Sequence, residues 1–460
     1  MKKLISLILA LCMCLGLLAS CVSNETPSQS SSSSDEPSSK VDEPSSSEEP
    51  SSSEESSSSE KSKPETKELD NTVVNLMDGI DVMGPKERIL DEEFLSSQME
   101  LYLTLFKESW GEDEGENVLV SPLSIQLALA MTANGANGQT RSEMEDVLAS
   151  DIALEDLNEY LVSYTNALPS SENSKLQIAN SIWFRNDEAR FPVKNEFLYM
   201  NANYYRAEIY KAKFDQTTVN SINDWADKKT DSMIKEVLKE IDEFSVMYLI
   251  NAVVFDAKWE NPISEYSIYE DIFVNINREG KEVEMMISEY ERFYIETENA
   301  TGFKKNYEGG DYSFVALLPR EGVSINDYIS SLDANELIDT LSKVEPSGDG
   351  MICMPKFSYE YEIELNDILC ELGMPTSFSE YADFSNISEK PIAISKVNHK
   401  AFISVDNEGT RAAAITSVDM KDEAEKHPDW IVTLDRPFVY MIVDNATNLP
   451  IFIGTMTDVQ

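Results

Sequence analysis

The 460-residue chain holds only two histidines, and they bound the proton chemistry it can do near neutral pH. His427 stands before Pro428 in a polar stretch. His399 follows Asn398 inside the apolar run "IAISKVNHKAFISV" (392–405). A Ser–His–Asp arrangement would have to use one of them. Neither is accompanied by a nucleophile motif: there is no G-x-S-x-G, no H-E-x-x-H and no phosphate-binding glycine loop. The glycines of "GANGQT" (135–140) have no strand before them and no Lys after them, and read as a turn between helices. His399 therefore reads as a buried histidine bonded to its neighbours. The 84 Asp and Glu could form a carboxylate pair anywhere, so such a pair carries no specificity.

Cysteine is equally sparing. Of five, Cys12 and Cys14 lie in the N-terminal apolar leader and Cys21 ends it, which leaves Cys353 and Cys370. Those two could pair in an exported chain. Cys353 falls in an apolar strand and Cys370 on the inward side of a helix, so two buried free thiols are expected. No Cys/His grouping has ligand spacing, and neither a metal nor a cofactor is expected. The chain reads as a non-enzyme.

The formal net charge of −47 repels phosphates, so nucleic acid is excluded as a partner. No basic helix is present to hold heparin. Lys2 and Lys3 precede the short apolar run "LISLILALCMCLGLL", and "LASC" closes it at Cys21. This N-terminus resembles the lipobox of bacterial lipoproteins. The resemblance implies cleavage before Cys21, lipidation of its thiol, and an extracellular position on the outer face of a bacterial membrane. The Ser/Glu/Pro-rich residues that follow cannot bury enough apolar surface to fold. Residues 1–20 are thus read as a signal, 21–85 as lipidated Cys and tether, and 86–460 as one globular domain. As a neutral coil, the low-complexity part would span roughly 40 Å.

The globular part mixes both hydrophobic periods. Helices are expected over 91–109, 121–135, 140–148, 220–230 and 365–373. Ser121 and Pro122 look like a cap and first turn, and Thr140 with Glu143 like a capping box. Strands are expected over 175–184, 246–259, 312–319, 351–363, 392–405, 437–445 and 450–456, all rich in β-branched and aromatic residues. The sum is an α+β protein with large mixed sheets. One stretch fits neither period: "NEGTRAAAITS" (407–417) is too small-sided for a core and too regular for a loop.

Six ordered blocks resemble the serpins: "NVLVSPLSIQLALAMTANGANGQTRSEMEDVL" (117–148), "LQIANSIWF" (176–184), "LINAVVFDAKW" (249–259), "MPKFSYEYEIELNDILCELGM" (354–374), "SKVNHKAFISVDNEGTRAAAITS" (395–417) and "DRPFVYMIVDNATNLPIFIGTM" (435–456). The resemblance covers roughly residues 88–457. It implies three β-sheets, eight or nine helices and an exposed reactive-centre loop. It also implies inhibition of a serine protease by a suicide-substrate route. The loop is cleaved, the protease stays acylated, and the loop enters the central sheet. The alternative within the family is a non-inhibitory member that binds or chaperones.

Carried over by position, Glu408, Gly409 and Thr410 match the hinge, where Asn407 departs from the usual Glu. Ser121, Ser124, Asn251 and His399 match a polar cluster where sheet strands must part, and Trp259 the tryptophan near the top of that sheet. Because strand side chains alternate, Thr410, Ala412, Ala414 and Thr416 would point inward on insertion, and all are small and uncharged. Arg411, Ala413, Ile415 and Ser417 would point outward. Family spacing puts the scissile bond at Glu423–Ala424. Pro437 lies 28 positions after Gly409, about three more than usual for the family, so the bond could fall anywhere from Met420 through Lys421, Asp422 and Glu425 to Lys426. Glu423 implies a glutamate-preferring protease, Ala424 an elastase-like one, and Lys421 or Lys426 a trypsin-like one. A monomer is expected.

Overall fold

The segment Met247–Lys258 is apolar on both faces, and every residue from Met247 to Phe255 is buried. Such a run can only be a central strand covered on both sides. The computed structural model describes residues 73–149, 151–171, 174–186, 192–410 and 427–459, and places this strand in the middle of a seven-stranded sheet. The strands in chain order are β1 (Val74–Asn75), β2 (Ser174–Arg185), β3 (Glu208–Ala212), β4 (Met247–Lys258), β5 (Phe357–Glu364), β6 (Lys396–Val405) and β7 (Gly409–Thr410). Their spatial order is β1-β3-β2-β4-β7-β6-β5.

A six-stranded sheet carries Leu119–Val120, Pro450–Met456, Phe438–Asp444, Tyr312–Pro319, Ala300–Asn306 and Phe293–Glu296 in that order. A four-stranded sheet carries Trp430–Thr433, Gly350–Pro355, Gly280–Glu291 and Ile268–Val274. Nine α-helices occur among the described residues. Those that frame the site are α1 (Glu92–Glu112), α2 (Pro122–Ala133), α3 (Gly138–Ala149), α4 (Leu154–Ala167), α5 (Asn195–Tyr205) and α6 (Gln216–Lys229). All twelve residues of α2 are buried, as expected of a helix that is apolar all round.

Alternation along β4 separates two cores. Met247, Leu249, Val253, Phe255 and Ala257 join the main core beneath the sheet. Tyr248, Ile250, Ala252 and Val254 face the other way, against Val219, Ile222, Trp225 and Ala226 of α6 and the apolar residues of 233–238. Both faces of the sheet centre are therefore dry.

Several element boundaries differ from expectation; the helix expected over 220–230, for one, begins at Gln216. The run 351–363 is two strands, Gly350–Pro355 and β5, which belong to different sheets. The chain pivots at Lys356, whose N–H donates to Glu284 O at 2.8 Å after Pro355, which has no N–H to give. The run 392–405 becomes strand only at Lys396; before it, Ile394 N–H donates to Ser377 O and Ser395 N–H to Met247 O. Thr140 and Glu143 form no capping box, because α3 starts earlier, at Gly138. Their side chains tie the helix to the 376–383 segment instead: Thr140 Oγ1 accepts from Asp383 N–H, and Glu143 accepts from the N–H and hydroxyl of Thr376. Cys353 is buried and free; Cys370 is free but only half-buried, which corrects the expectation of two buried thiols.

Candidate functional site

β4 and β6 run parallel and pair directly from Lys396↔Tyr248 to Ala401↔Val253. There the ladder ends. Past a short gap, β7 lies between them, antiparallel to both, with Gly409↔Lys258, Thr410↔Ala257 and Thr410↔Val405. The sheet thus has a seam that is closed at one end and held apart at the other by two residues.

At the closed end sits His399, with no solvent exposure. The backbone N–H of Ser121 donates to its Nε2 at 3.1 Å, so Nε2 is the bare nitrogen. Nδ1 then carries the proton and donates to Asn251 Oδ1 at 2.9 Å. Burial pushes the imidazole down to about 3, and it stays neutral at physiological pH. The Asn251 carboxamide donates from Nδ2 to Asn180 Oδ1 at 2.7 Å and to Ser124 Oγ. One residue thereby joins β2, β4, β6 and α2. Ser121 contributes its N–H and not its side chain: its hydroxyl makes no bond and does not cap α2. A catalytic histidine would need a carboxylate on one nitrogen and a nucleophile on the other. His399 has a carboxamide and a peptide group, and cannot activate anything.

At the open end, a turn returns the chain from β6 to β7. Asp406 Oδ1 accepts from the N–H of Glu408 at 2.8 Å and of Gly409 at 3.1 Å, and Asp406 N–H donates to Gly409 O. Trp259 is fixed to this turn rather than to the His399 cluster. Its N–H donates to Glu408 O at 2.8 Å and its indole Nε1 to Asp406 O at 2.9 Å. The ring stacks on Tyr307, centroids 4.6 Å apart and 10° from parallel. The Tyr307 hydroxyl bonds Thr410 Oγ1 at 2.5 Å, and Thr410 is buried. The His399 cluster and Trp259 thus occupy two places, about 26 Å apart along β4. Asn407 is held through its carbonyl, which accepts from Ile263 N–H, so its side chain is not what anchors the turn.

Asn180, Tyr307 and Asp406 were not singled out by sequence. Asp406 alone left a signal, an Asp two and three residues ahead of backbone donors in a D-x-x-G turn. Ala412, Ala414, Thr416, the bond region Met420–Lys426 and Cys21 lie outside the described residues. Among the described residues no group of three His, Cys, Asp or Glu is placed to hold a metal.

Comparison with known proteins agrees with this architecture. A serpin-like protein of Methanosarcina acetivorans is 30% identical over 355 residues, which is 74% of this chain and 81% of that one. The crystal structure of Tengpin, a thermophilic serpin, in its native state is 47% identical, with a TM-score of 0.80 over 84% of this chain and all of that one. Tengpin in its latent state scores 0.72 over 81% of this chain and all of that one, at the same identity. The family model for Serpin (serine protease inhibitor) matches residues 96–459. With that match over most of its length, the chain belongs to the serpin family.

Proposed function

We propose that this protein is a suicide inhibitor of extracellular serine proteases, held at a bacterial surface through Cys21 and the 21–85 tether. The observation that carries the reading is β7. A loop destined for the sheet needs its first residues already in register, and Gly409 and Thr410 are seated between β4 and β6.

The same register, extended, would set Ala412 between Phe255 and Ile403, Ala414 between Val253 and Ala401, and Thr416 between Asn251 and His399. The first four of these sheet residues are buried in the main core, so only small side chains can pass. The protease serine would attack the carbonyl carbon of the scissile residue, expelling the amine of the next residue and leaving an ester. Insertion of roughly 15 residues at about 3.3 Å each would then carry the acylated enzyme about 50 Å. Insertion gains ladder bonds and apolar burial, so the uncleaved protein is a kinetic trap. Glu423–Ala424 is the proposed bond, with a glutamate-preferring or elastase-like target.

The test is a panel of elastase-like, glutamate-preferring and trypsin-like proteases. A complex that survives denaturing gel electrophoresis supports the reading, and mass spectrometry of the released fragment fixes the bond. Clean cleavage by every protease, with no complex, overturns it in favour of a binding or chaperone-like serpin.

A further inference from the structure

Behind Trp259 lies a buried ion pair that the reading above does not use. Lys305 is 2% exposed, on the strand Ala300–Asn306. Its ammonium has three protons and three acceptors: Glu291 Oε1 at 2.5 Å, Ser288 Oγ at 3.1 Å and Asn261 O at 3.1 Å. Ser288 Oγ in turn donates to Glu291 Oε1 at 2.6 Å. The ammonium stands 5.5 Å from the centre of the Trp259 ring, within reach of a cation–π attraction. Tyr307, which stacks on Trp259 and bonds Thr410, is two residues beyond Lys305.

Glu291 does not reach this site by regular alternation. Along Gly280–Glu291, Ser288 is buried and Glu289 exposed, so a regular strand would turn Tyr290 in and Glu291 out. The pairing slips here, from Met351↔Glu289 to Gly350↔Glu291, and Tyr290 adopts φ 61° with its side chain exposed. A left-handed tyrosine is strained, and bulges of this kind re-aim the next side chain. The strain delivers a carboxylate to the buried Lys305 ammonium beside Trp259.

We propose that Lys305, held by Glu291, is a positioning residue for loop insertion: through Trp259 and Tyr307 it keeps Thr410 seated in the seam, so that insertion starts from a formed nucleus. This rests on the inhibitory reading. The pair touches neither protease nor scissile bond. It governs the race between insertion and deacylation, not docking or cleavage.

The experiment compares Lys305→Met, which keeps the stem but not the charge, with Lys305→Arg and Glu291→Gln. Each is assayed for the number of inhibitor molecules consumed per protease trapped and for the rate of loop cleavage. Loss of the charge raises the number consumed about five-fold, about 1 kcal/mol in the partition, while cleavage stays within about two-fold. Lys305→Arg restores most of the loss. A purely structural role would lower the melting temperature and leave the partition unchanged; an unchanged partition in folded Lys305→Met overturns the proposal. If Lys305→Met does not fold, Glu291→Gln decides by the same criterion. If the wild type traps no protease on the panel, the inhibitory reading fails, and this proposal is judged by how fast heat stability rises after a non-target endoprotease cuts the loop. A slower rise in Lys305→Met supports it, and an equal rate overturns it.

Discussion

His399 and Asn251 are direct partners across the seam, joined by an Nδ1–H to Oδ1 bond of 2.9 Å at the last stretch where β6 and β4 still touch. Any strand entering between them must break that bond and leave two buried polar groups to be satisfied. On insertion, the register set by Gly409↔Lys258 would bring Thr416 to this point. A threonine hydroxyl can accept from His399 and donate to Asn251 at once. Thr416→Val keeps the shape and removes both bonds, at about 1–3 kcal/mol. The loop-cleaved variant should melt below loop-cleaved wild type, with the uncleaved forms alike. Equal melting of the cleaved forms would exclude this register.

Gly409 offers a second test of insertion. A Cβ there would lie 2.1 Å from Ala257 O and 2.8 Å from Lys258 Cα, both backbone atoms that cannot swing aside. Gly409→Ala should lift β7 out of the seam, at a cost of about 1–3 kcal/mol. Inhibitor consumed per protease trapped should rise several-fold, about 1 kcal/mol in the partition, with loop cleavage unimpaired. Trapping at the wild-type ratio would show that β7 is not the nucleus.

Burial of His399 also sets a pH dependence. Its folded pKa of about 3 lies below the ordinary 6.5, so the unfolded chain binds the extra proton first. The stability this supplies is complete above pH 6.5 and is lost as pH falls towards 3, by about 1.4 kcal/mol per unit. Between pH 6.5 and 5, where most carboxylates remain ionised, the melting temperature of wild type should fall more steeply than that of His399→Gln. Parallel curves would contradict a neutral buried imidazole.

The sequence made β4 and β6 legible because continuous apolar runs leave no other place for a strand. It also singled out the stretch after Gly409, where small side chains at every second position need an explanation. It hid what depends on two distant segments meeting. Ile268–Val274 is exposed along most of its length and has no apolar face to betray it. β3 is only five residues long, and Lys211, the fourth of them, breaks the apolar pattern although it is buried. The split at Lys356 looked like one strand because both halves are apolar and only the change of sheet separates them. Tyr307 gave no sign, since its partner Thr410 is 103 residues away.

The faces of the inserted loop give the last prediction. The sequence turns Arg411, Ala413, Ile415 and Ser417 outward on insertion and does not say what would cover them. In the register of β7, residue 411 would lie between Asp256 and Ser404, both half-exposed, but 413 would lie between Val254 and Phe402, and 415 between Ala252 and Lys400. Val254 and Ala252 belong to the core under α6, and half-buried Phe402 packs against it. The outer face is therefore dry at 413 and 415, which accounts for an isoleucine there and for an arginine only at 411. Unpaired charge cannot be buried cheaply on either face. Ala413→Asp should raise the inhibitor consumed per protease about ten-fold or more, as should Ala414→Asp, a barrier of at least about 1.4 kcal/mol. Ile415→Asp should cost less, because the Lys400 ammonium faces that side of the sheet and can pair with it. Arg411→Asp should leave it near the wild-type value. A scan in which 413 tolerates charge would mean that α6 moves clear of the sheet before the loop arrives.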